Sequence, residues 1–352
     1  MTDAPHTRSL ADLRVADAGV FGGKSSSLGE LLAADIPVPP GFALSAAAFR
    51  EFVEEAGLSR RIEQVTAALD PGDVDSVNAA SKAIGEELRS APVPDSVQEE
   101  VRERYAGLAN AGGEDEPPVA VRSSALGEDS QDATFAGQQE TYLWVRGDGG
   151  ICDALRDCWV SLYSPQAISY RARMGNADDH PAMGVTVQLM VDAEVSGVMF
   201  TCNPVSGDPS MIAVNASWGL GLAVVGGEVT PDDYLVSKIT REIVKERLSS
   251  KQVEYVPGPH GRGAVRVEVP EERRDVPCLD EARLGSLVDV ARRVERHFGS
   301  HQDIEWAIAR GQGDVYIVQS RPVTAMAKKA EQSQPASAID LVMSKFGANR
   351  AD

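Results

Sequence analysis

Apolar and polar positions alternate through residues 302–324, QDIEWAIARGQGDVYIVQSRPVT, with the period of two that marks a half-buried strand. Two such runs flank Gly311-Gln312-Gly313, a short turn suited to a β-hairpin. Asp303 and Glu305 then share one face of the first strand, and Ile304, Trp306 and Ile308 share the other. On the return strand Val315, Ile317, Gln319 and Arg321 fall on one face, with Tyr316 and Val318 opposite. A three-residue turn pairs Arg310 with Asp314, which sets Glu305 across from Gln319 and Asp303 across from Arg321. Two carboxylates, an amide oxygen and a guanidinium then meet on one polar face. Such oxygens are the hard ligands Mg2+ takes beside substrate phosphates, and an Arg fork matches phosphate geometry. Taken alone, the pattern equally describes an ordinary amphipathic hairpin with a solvated charged face.

Upstream, residues 25–34 read as a helix stopped by Ile36-Pro37-Val38-Pro39-Pro40-Gly41. Residues 45–57 read as a second helix, with Ser45 as N-cap and Gly57 as the stop. Residues 60–108 are helical and charge-rich, interrupted at Pro71-Gly72 and Pro92-Val93-Pro94. Strand character appears at 118–122 and 141–145, followed by helix over 152–174. Strands are expected at 185–191, 196–201, 212–216 and 234–238, and a last helix over 279–298 precedes the hairpin. This order predicts an α+β protein of two lobes. A helix-rich N-terminal lobe covers residues 1–182, and a strand-rich C-terminal lobe covers 183–325. Residues 326–352 read as a flexible tail, a linker and short amphipathic segment suited to docking a partner. The cleft between lobes is the expected place for a small-molecule site.

The chain has 352 residues, 43% of them apolar and 25% charged, as in ordinary globular proteins. Its formal charge of −19 argues against a nucleic-acid or anionic-membrane surface. Any phosphate site must therefore rest on particular Lys and Arg residues. Cys152, Cys158, Cys202 and Cys278 form no C-x-x-C and have no His at zinc-ligand spacing, so they read as reduced, buried thiols. The first fifteen residues lack the apolar core of a signal peptide, and no apolar stretch is long enough to span a bilayer. The expectation is a soluble cytoplasmic protein with no nucleic-acid or membrane partner.

Several segments carry candidate chemistry. Gly22-Gly23-Lys24-Ser25 opens the first helix but lacks the earlier glycine of a P-loop, since position 18 is Ala. A lysine beside a glycine turn at a helix start still suits a phosphate, or is simply a solvent lysine. The strand Val119-Ala120-Val121 delivers Arg122, Ser123 and Ser124 to its end, a plausible phosphate clamp. The stretch TFAGQQE, residues 134–140 with Gly137 and Gln138 at its centre, suits either a flap closing over phosphates or a plain turn. TVQLMV, residues 186–191, is apolar except for Gln188. It reads as a core strand whose exit amides suit an adenine edge, with Leu189 and Met190 against the ring. Ser-His-Asp catalysis has no support, because no G-x-S-x-G elbow occurs.

Taken in order, GGKSSSLGEL, IPVPPGFALS, VAVRSSALGEDS, TFAGQQETYL, VQLMV, SGVMFTCNPVSG, GEVTPDDYLV and QDIEWA…VQSRPVT resemble the nucleotide-binding domain of the pyruvate phosphate dikinase and phosphoenolpyruvate synthase family. The resemblance runs from about residue 22 to 323. It implies a two-lobe ATP-grasp fold closing on ATP and Mg2+, with a helix-rich N-terminal lobe and a strand-rich C-terminal lobe. Lys24 and Arg122 would contact ATP phosphates, and Glu305 and Arg321 would join them as catalytic residues. Asp303, Glu305, Gln319 and Arg321 would bind metal and phosphate, with Glu305 and Gln319 as the metal ligands. Gln188, Leu189, Met190 and Val191 match the adenine-side hinge, and Gly137 and Gln138 the phosphate flap. Many members read G-L-G-E where this chain has Gly219-Leu220-Gly221-Leu222.

The resemblance implies transfer of the pyrophosphoryl group of ATP to a histidine on a swivelling domain, releasing AMP. The phosphohistidine then serves pyruvate or another small organic acceptor. That histidine sits in G-G-x-x-[ST]-H, a context that none of His6, His180, His260, His297 and His301 has. The reading is therefore the ATP half of a split enzyme, as in phenylphosphate synthase, with the swivelling-domain and acceptor-binding subunit on a separate chain. Two alternatives stand beside it: a self-contained ATP-grasp kinase giving ADP, and a non-catalytic ATP-sensing module.

Overall fold

The computed structural model describes residues 5–126, 140–173 and 181–323. Strands β1 (Thr7–Ser9), β2 (Gly41–Leu44), β3 (Val119–Ala125), β4 (Thr141–Val145) and β5 (Met183–Leu189) form one antiparallel sheet in the order β1-β2-β5-β3-β4. Between them run helices α1 (Ala18–Phe21), α2 (Gly23–Ala33), α3 (Ala46–Glu55), α4 (Ser59–Ala67), α5 (Val74–Ser90), α6 (Asp95–Gly112), α7 (Asp148–Ser161) and α8 (Pro165–Arg173). Leu44, Val119, Val121, Val185 and Val187 sit at alternate positions and bury one face of the sheet against these helices. Phe52 and Trp159 stack 4.8 Å apart in the same core. Alternation therefore turns Ala120, Arg122 and Gln188 to the opposite face, where the cavity described below lies.

The second sheet has the order β13-β12-β6-β7-β8-β9. It is built from β6 (Ala193–Phe200), β7 (Met211–Trp218), β8 (Asp232–Ser237), β9 (Ile243–Arg247), β12 (Gln302–Ala309) and β13 (Val315–Pro322). A separate hairpin pairs β10 (Val253–Pro257) with β11 (Ala264–Glu268), and α9 (Leu222–Val225), α10 (Glu271–Arg274) and α11 (Glu281–Phe298) complete this half. The start of α11 is fixed by Asp280, whose carboxylate accepts the Arg283 amide at 2.8 Å. Gly299 ends it at φ 68°, the left-handed cap that suits glycine. Leu284, Leu287, Val288, Ala291 and Val294 recur at helical spacing and pack against Ile304, Trp306 and Ile308 of the sheet.

The architecture is the expected α+β ATP-grasp type, with corrections in its parts. Met183–Leu189, expected in the C-terminal lobe, pairs with β2 and β3 inside the first sheet. In the other direction Leu28 and Leu31 of α2 share the core of the second sheet and α11. Ser27 Oγ donates to the Ser320 carbonyl at 2.8 Å and the Ile317 amide to the Pro37 carbonyl at 2.8 Å, so α2 and the segment after it are tied to both halves. The expected helix over 152–174 is two helices, because Pro165 has no amide to continue α7 and instead starts α8. Ser45 is the N-cap residue of α3, as expected, though its side chain makes no capping bond. Strands β1, β2, β9, β10 and β11 were not expected; every residue of β9 is exposed, so it has no apolar face to read.

Candidate functional site

One cavity of about 440 Å³ lies between the two sheets. Lys24, Arg122, Gln188, Leu189, Met190, Glu305, Gln319 and Arg321, all expected at the site from the sequence, line it together. Its wall divides by chemistry. Leu143, Leu189, Met190, Leu220, Leu222 and Val225 make one part apolar, while Lys24, Arg122, Glu305, Gln319 and Arg321 make the other charged and polar. Asp303 stands behind this wall, its carboxylate accepting Arg321 Nε at 2.9 Å. Gly137 and Gln138 lie outside the described residues.

The hairpin forms the charged floor. Asp303 pairs with Arg321 and Glu305 with Gln319, as the alternation predicts. The turn, however, is four residues rather than three, for the Ala309 amide bonds the Asp314 carbonyl at 3.0 Å. Arg310 does not pair with Asp314. A register shift beyond Glu305 absorbs the extra residue, since Trp306 faces Ile317 and Glu305 faces Gln319. Val318 is thus the extra residue of a β-bulge. The bulge also corrects the expected faces. Val315 and Ile317 join the core beside Ile304, Trp306 and Ile308, while Val318 and Gln319 both reach the cavity.

Arg122 reaches this floor from β3 in the other sheet, with only 8% of its surface exposed. Its Nη1 donates to the Val318 carbonyl at 2.6 Å; its Nη2 donates to Gln319 Oε1 at 2.6 Å and Glu305 Oε2 at 3.1 Å. A bulge residue leaves the regular ladder, which makes its carbonyl available to an outside donor. Lys24, 6% exposed, donates from Nζ to the Ser123 carbonyl at 3.0 Å. Buried cations need such oxygen partners to offset desolvation. Gly22 brings α2 close enough, because a Cβ there meets Ser124 O and Oγ at 2.2 Å and its φ is +83°. Only glycine fits that approach. The Ser25 and Thr186 hydroxyls, 2.7 Å apart, pin the same helix to β5.

Burial raises the Asp303 carboxyl above the ordinary Asp range, Arg321 partly offsets this, and Glu305 adds to it. The four cysteines are free and buried, as expected. Burial pushes the Cys152 thiol up to about 11, which keeps it protonated and unreactive. Of the described histidines, His6, His260, His297 and His301, none lines the cavity.

At the apolar end the exit amides divide into committed and open groups. The Leu189 amide donates to the Pro40 carbonyl and the Met190 amide to the Pro118 carbonyl, both at 2.9 Å. Neither amide is therefore left for a ligand. Among the described residues no hydrogen bond reaches the Val191 amide, which also lines the cavity. The Gln188 side chain gives one Nε2 hydrogen bond to the Pro39 carbonyl, at 3.1 Å. Sequence reasoning missed Thr141 and Leu143 as lining residues; their signal was the period of two along β4, which turns both to one side. It also missed the Val318 carbonyl, a backbone group that no residue type announces.

The family model described as pyruvate phosphate dikinase, AMP/ATP-binding domain, matches residues 18–339. The chain belongs to this family. It is 39% identical over 332 residues to a probable phosphoenolpyruvate synthase of Methanocaldococcus jannaschii, covering 94% of this chain and 28% of the relative. Identity is 41% over 328 residues to the probable phosphoenolpyruvate synthase of Methanothermobacter thermautotrophicus, with 93% and 47% covered. The phosphoenolpyruvate synthase of Pyrococcus furiosus is 36% identical over 372 aligned positions, with 95% and 46% covered. The chain thus spans less than half the length of these curated relatives. Family membership assigns it an AMP/ATP-binding domain of the pyruvate phosphate dikinase type. Among the described residues no helix is long and apolar enough to cross a membrane.

Proposed function

We propose that the cavity binds Mg-ATP and that the chain is the ATP-handling part of a dikinase-type phosphotransferase. Adenine packs in the apolar part against Leu189, Met190 and Leu220, read by the Val191 amide. The triphosphate lies over the charged floor, where Lys24, Arg122 and Arg321 offset its charge. Glu305 and Gln319 present a carboxylate and an amide oxygen at adjacent cross-strand positions. That donor set fits Mg2+, which Glu305 and Gln319 would hold beside the phosphates. Bound there, the metal supplies neutralisation of phosphate charge. The residues of this chain position the phosphates, exclude water and balance charge, which is most of what phosphoryl-type transfer asks of a protein.

One observation carries the reading. A buried arginine of the first sheet meets a carboxylate and an amide oxygen of the second inside a cavity that is apolar at its other end. In this proposal the pyrophosphoryl group passes to a histidine of a swivelling domain outside this sequence. AMP and phosphate are released, and the phosphohistidine serves pyruvate or another small organic acceptor. A neutral imidazole as nucleophile needs no general base from this chain, in keeping with a cavity that no described histidine lines.

The test mixes this protein with a swivelling-domain protein of the G-G-x-x-[ST]-H type and labelled ATP. AMP and a labelled histidine are expected. Formation of ADP alone refutes the dikinase reading in favour of a self-contained kinase, and binding without turnover favours a sensing module. Glu305→Ala and Arg122→Ala should each abolish AMP formation while circular dichroism stays native. Full activity in both variants would show the site is misassigned.

A further inference from the structure

We propose that Arg122 is a built-in stand-in for the metal cation, holding the metal's ligands until a polyphosphate arrives to draw the guanidinium away. The inference rests on the Mg-ATP reading and adds a rule for how the site loads. The Arg122 guanidinium donates to Gln319 Oε1 at 2.6 Å and to Glu305 Oε2 at 3.1 Å. These are the two side chains whose donor chemistry suits the metal. The conflict is sharpest at Gln319, whose amide has a single oxygen to offer. A divalent cation at that oxygen and a guanidinium already bonded to it repel each other across a few ångströms. With Arg122 so little exposed, solvent screens that repulsion weakly.

Arg122 has somewhere else to go once phosphates enter. A guanidinium fork takes phosphate oxygens bidentately, and the same phosphates supply the oxygens that complete a magnesium shell. One ligand thus removes the stand-in and recruits the ion it stands for. The bonds to Val318, Glu305 and Gln319 also run from β3 to the β12–β13 hairpin, so releasing them removes part of what ties one sheet to the other. Nucleotide and metal load together in this scheme, and free cation is turned away. By linkage each must raise the affinity of the other by the same factor.

The experiment titrates Mn2+ against the protein by electron paramagnetic resonance, without nucleotide and with a non-hydrolysable ATP analogue. Wild type, Arg122→Gln and the double variant Arg122→Gln/Glu305→Gln are compared. Without nucleotide, Arg122→Gln should bind Mn2+ at least about tenfold more tightly than wild type, the scale of one charge-assisted hydrogen bond released. The double variant should lose that gain, which assigns it to the Glu305 site. With the analogue present the order should reverse, wild type binding more tightly. Arg122→Lys keeps the charge but loses the fork, so a smaller gain is expected and guards against misfolding of the glutamine variant. Wild type binding Mn2+ equally well with and without analogue overturns the stand-in. So does retained analogue binding with no metal gain in either Arg122 variant. A wild type that binds no analogue in equilibrium dialysis overturns the Mg-ATP reading itself.

Discussion

Removing the Asp232 carboxylate should be among the most destabilising single changes in this protein. Asp232 and Lys251 form an ion pair of 2.6 Å with both side chains 0% exposed. Asp232 Oδ1 also accepts the Ser249 amide at 2.9 Å, and Oδ2 accepts the Cys278 amide at 3.0 Å. Among the described residues Lys251 Nζ keeps only the Ser249 carbonyl, at 2.7 Å, as its other hydrogen-bond partner. Asp232→Ala therefore strands a buried ammonium, at a cost of about 3–5 kcal/mol. The two amides add about 1–3 kcal/mol each if they stay dry. Neighbouring losses do not sum, so roughly 4–6 kcal/mol is expected, a large part of the ~5–15 kcal/mol that holds most proteins folded. Urea unfolding followed by tryptophan fluorescence measures it as a lower midpoint at unchanged slope. The companion Asp232→Leu/Lys251→Met removes both charges and should recover at least about 2 kcal/mol of the loss, leaving the deficit of the amides. A loss below about 1 kcal/mol in Asp232→Ala, or no recovery in the double variant, would refute the reasoning.

Gly22→Ala should cost about 1–3 kcal/mol from its backbone conformation alone, and more from overlap with Ser124; differential scanning calorimetry should show a lower Tm, and ATP-analogue binding should weaken because α2 carries Lys24. Asp303 has a raised pKa in the folded state, so its protonation favours folding below the unfolded value of about 3.9, and that stability is lost as pH rises through the folded value. The stability of wild type relative to Asp303→Asn should therefore be greater at pH 4 than at pH 7 in urea unfolding, and a pH-independent difference would show that burial does not govern this carboxyl.

Much of the site was readable because its parts are short-range patterns. Strand alternation put Asp303 opposite Arg321 and Glu305 opposite Gln319, and both pairs occur. They occur through two offsets that cancel, one more residue in the turn and one in the bulge. Alternation is blind to this, since an apolar Val318 fits either face. The break between α7 and α8 was readable and overlooked, for Pro165 carries its signal in its chemistry. By contrast, β9 has no buried face, so burial leaves no imprint on its sequence. The strand could not show which of its exit amides is open, for a different reason. Which of Leu189, Met190 and Val191 keeps a free N–H depends on where Pro40 and Pro118 lie, and those prolines are far away in the chain. Asp232 belongs to the run GEVTPDDYLV, yet its partners Lys251 and Cys278 come together only in three dimensions.

The bond from Arg122 to the Val318 carbonyl has a consequence for how this site can change over time. Its acceptor is main chain, so replacing Val318 with another residue leaves the oxygen in place. Point substitution can alter how well the position packs but cannot delete the contact. Losing one residue from β13 can, because a regular ladder then closes between Trp306–Ile317 and Glu305–Gln319 with no carbonyl left over. The vulnerability of this position is to changes of length, not of letter. Homologues should vary freely in the side chain at 318 while keeping the count of residues between Ile317 and Gln319.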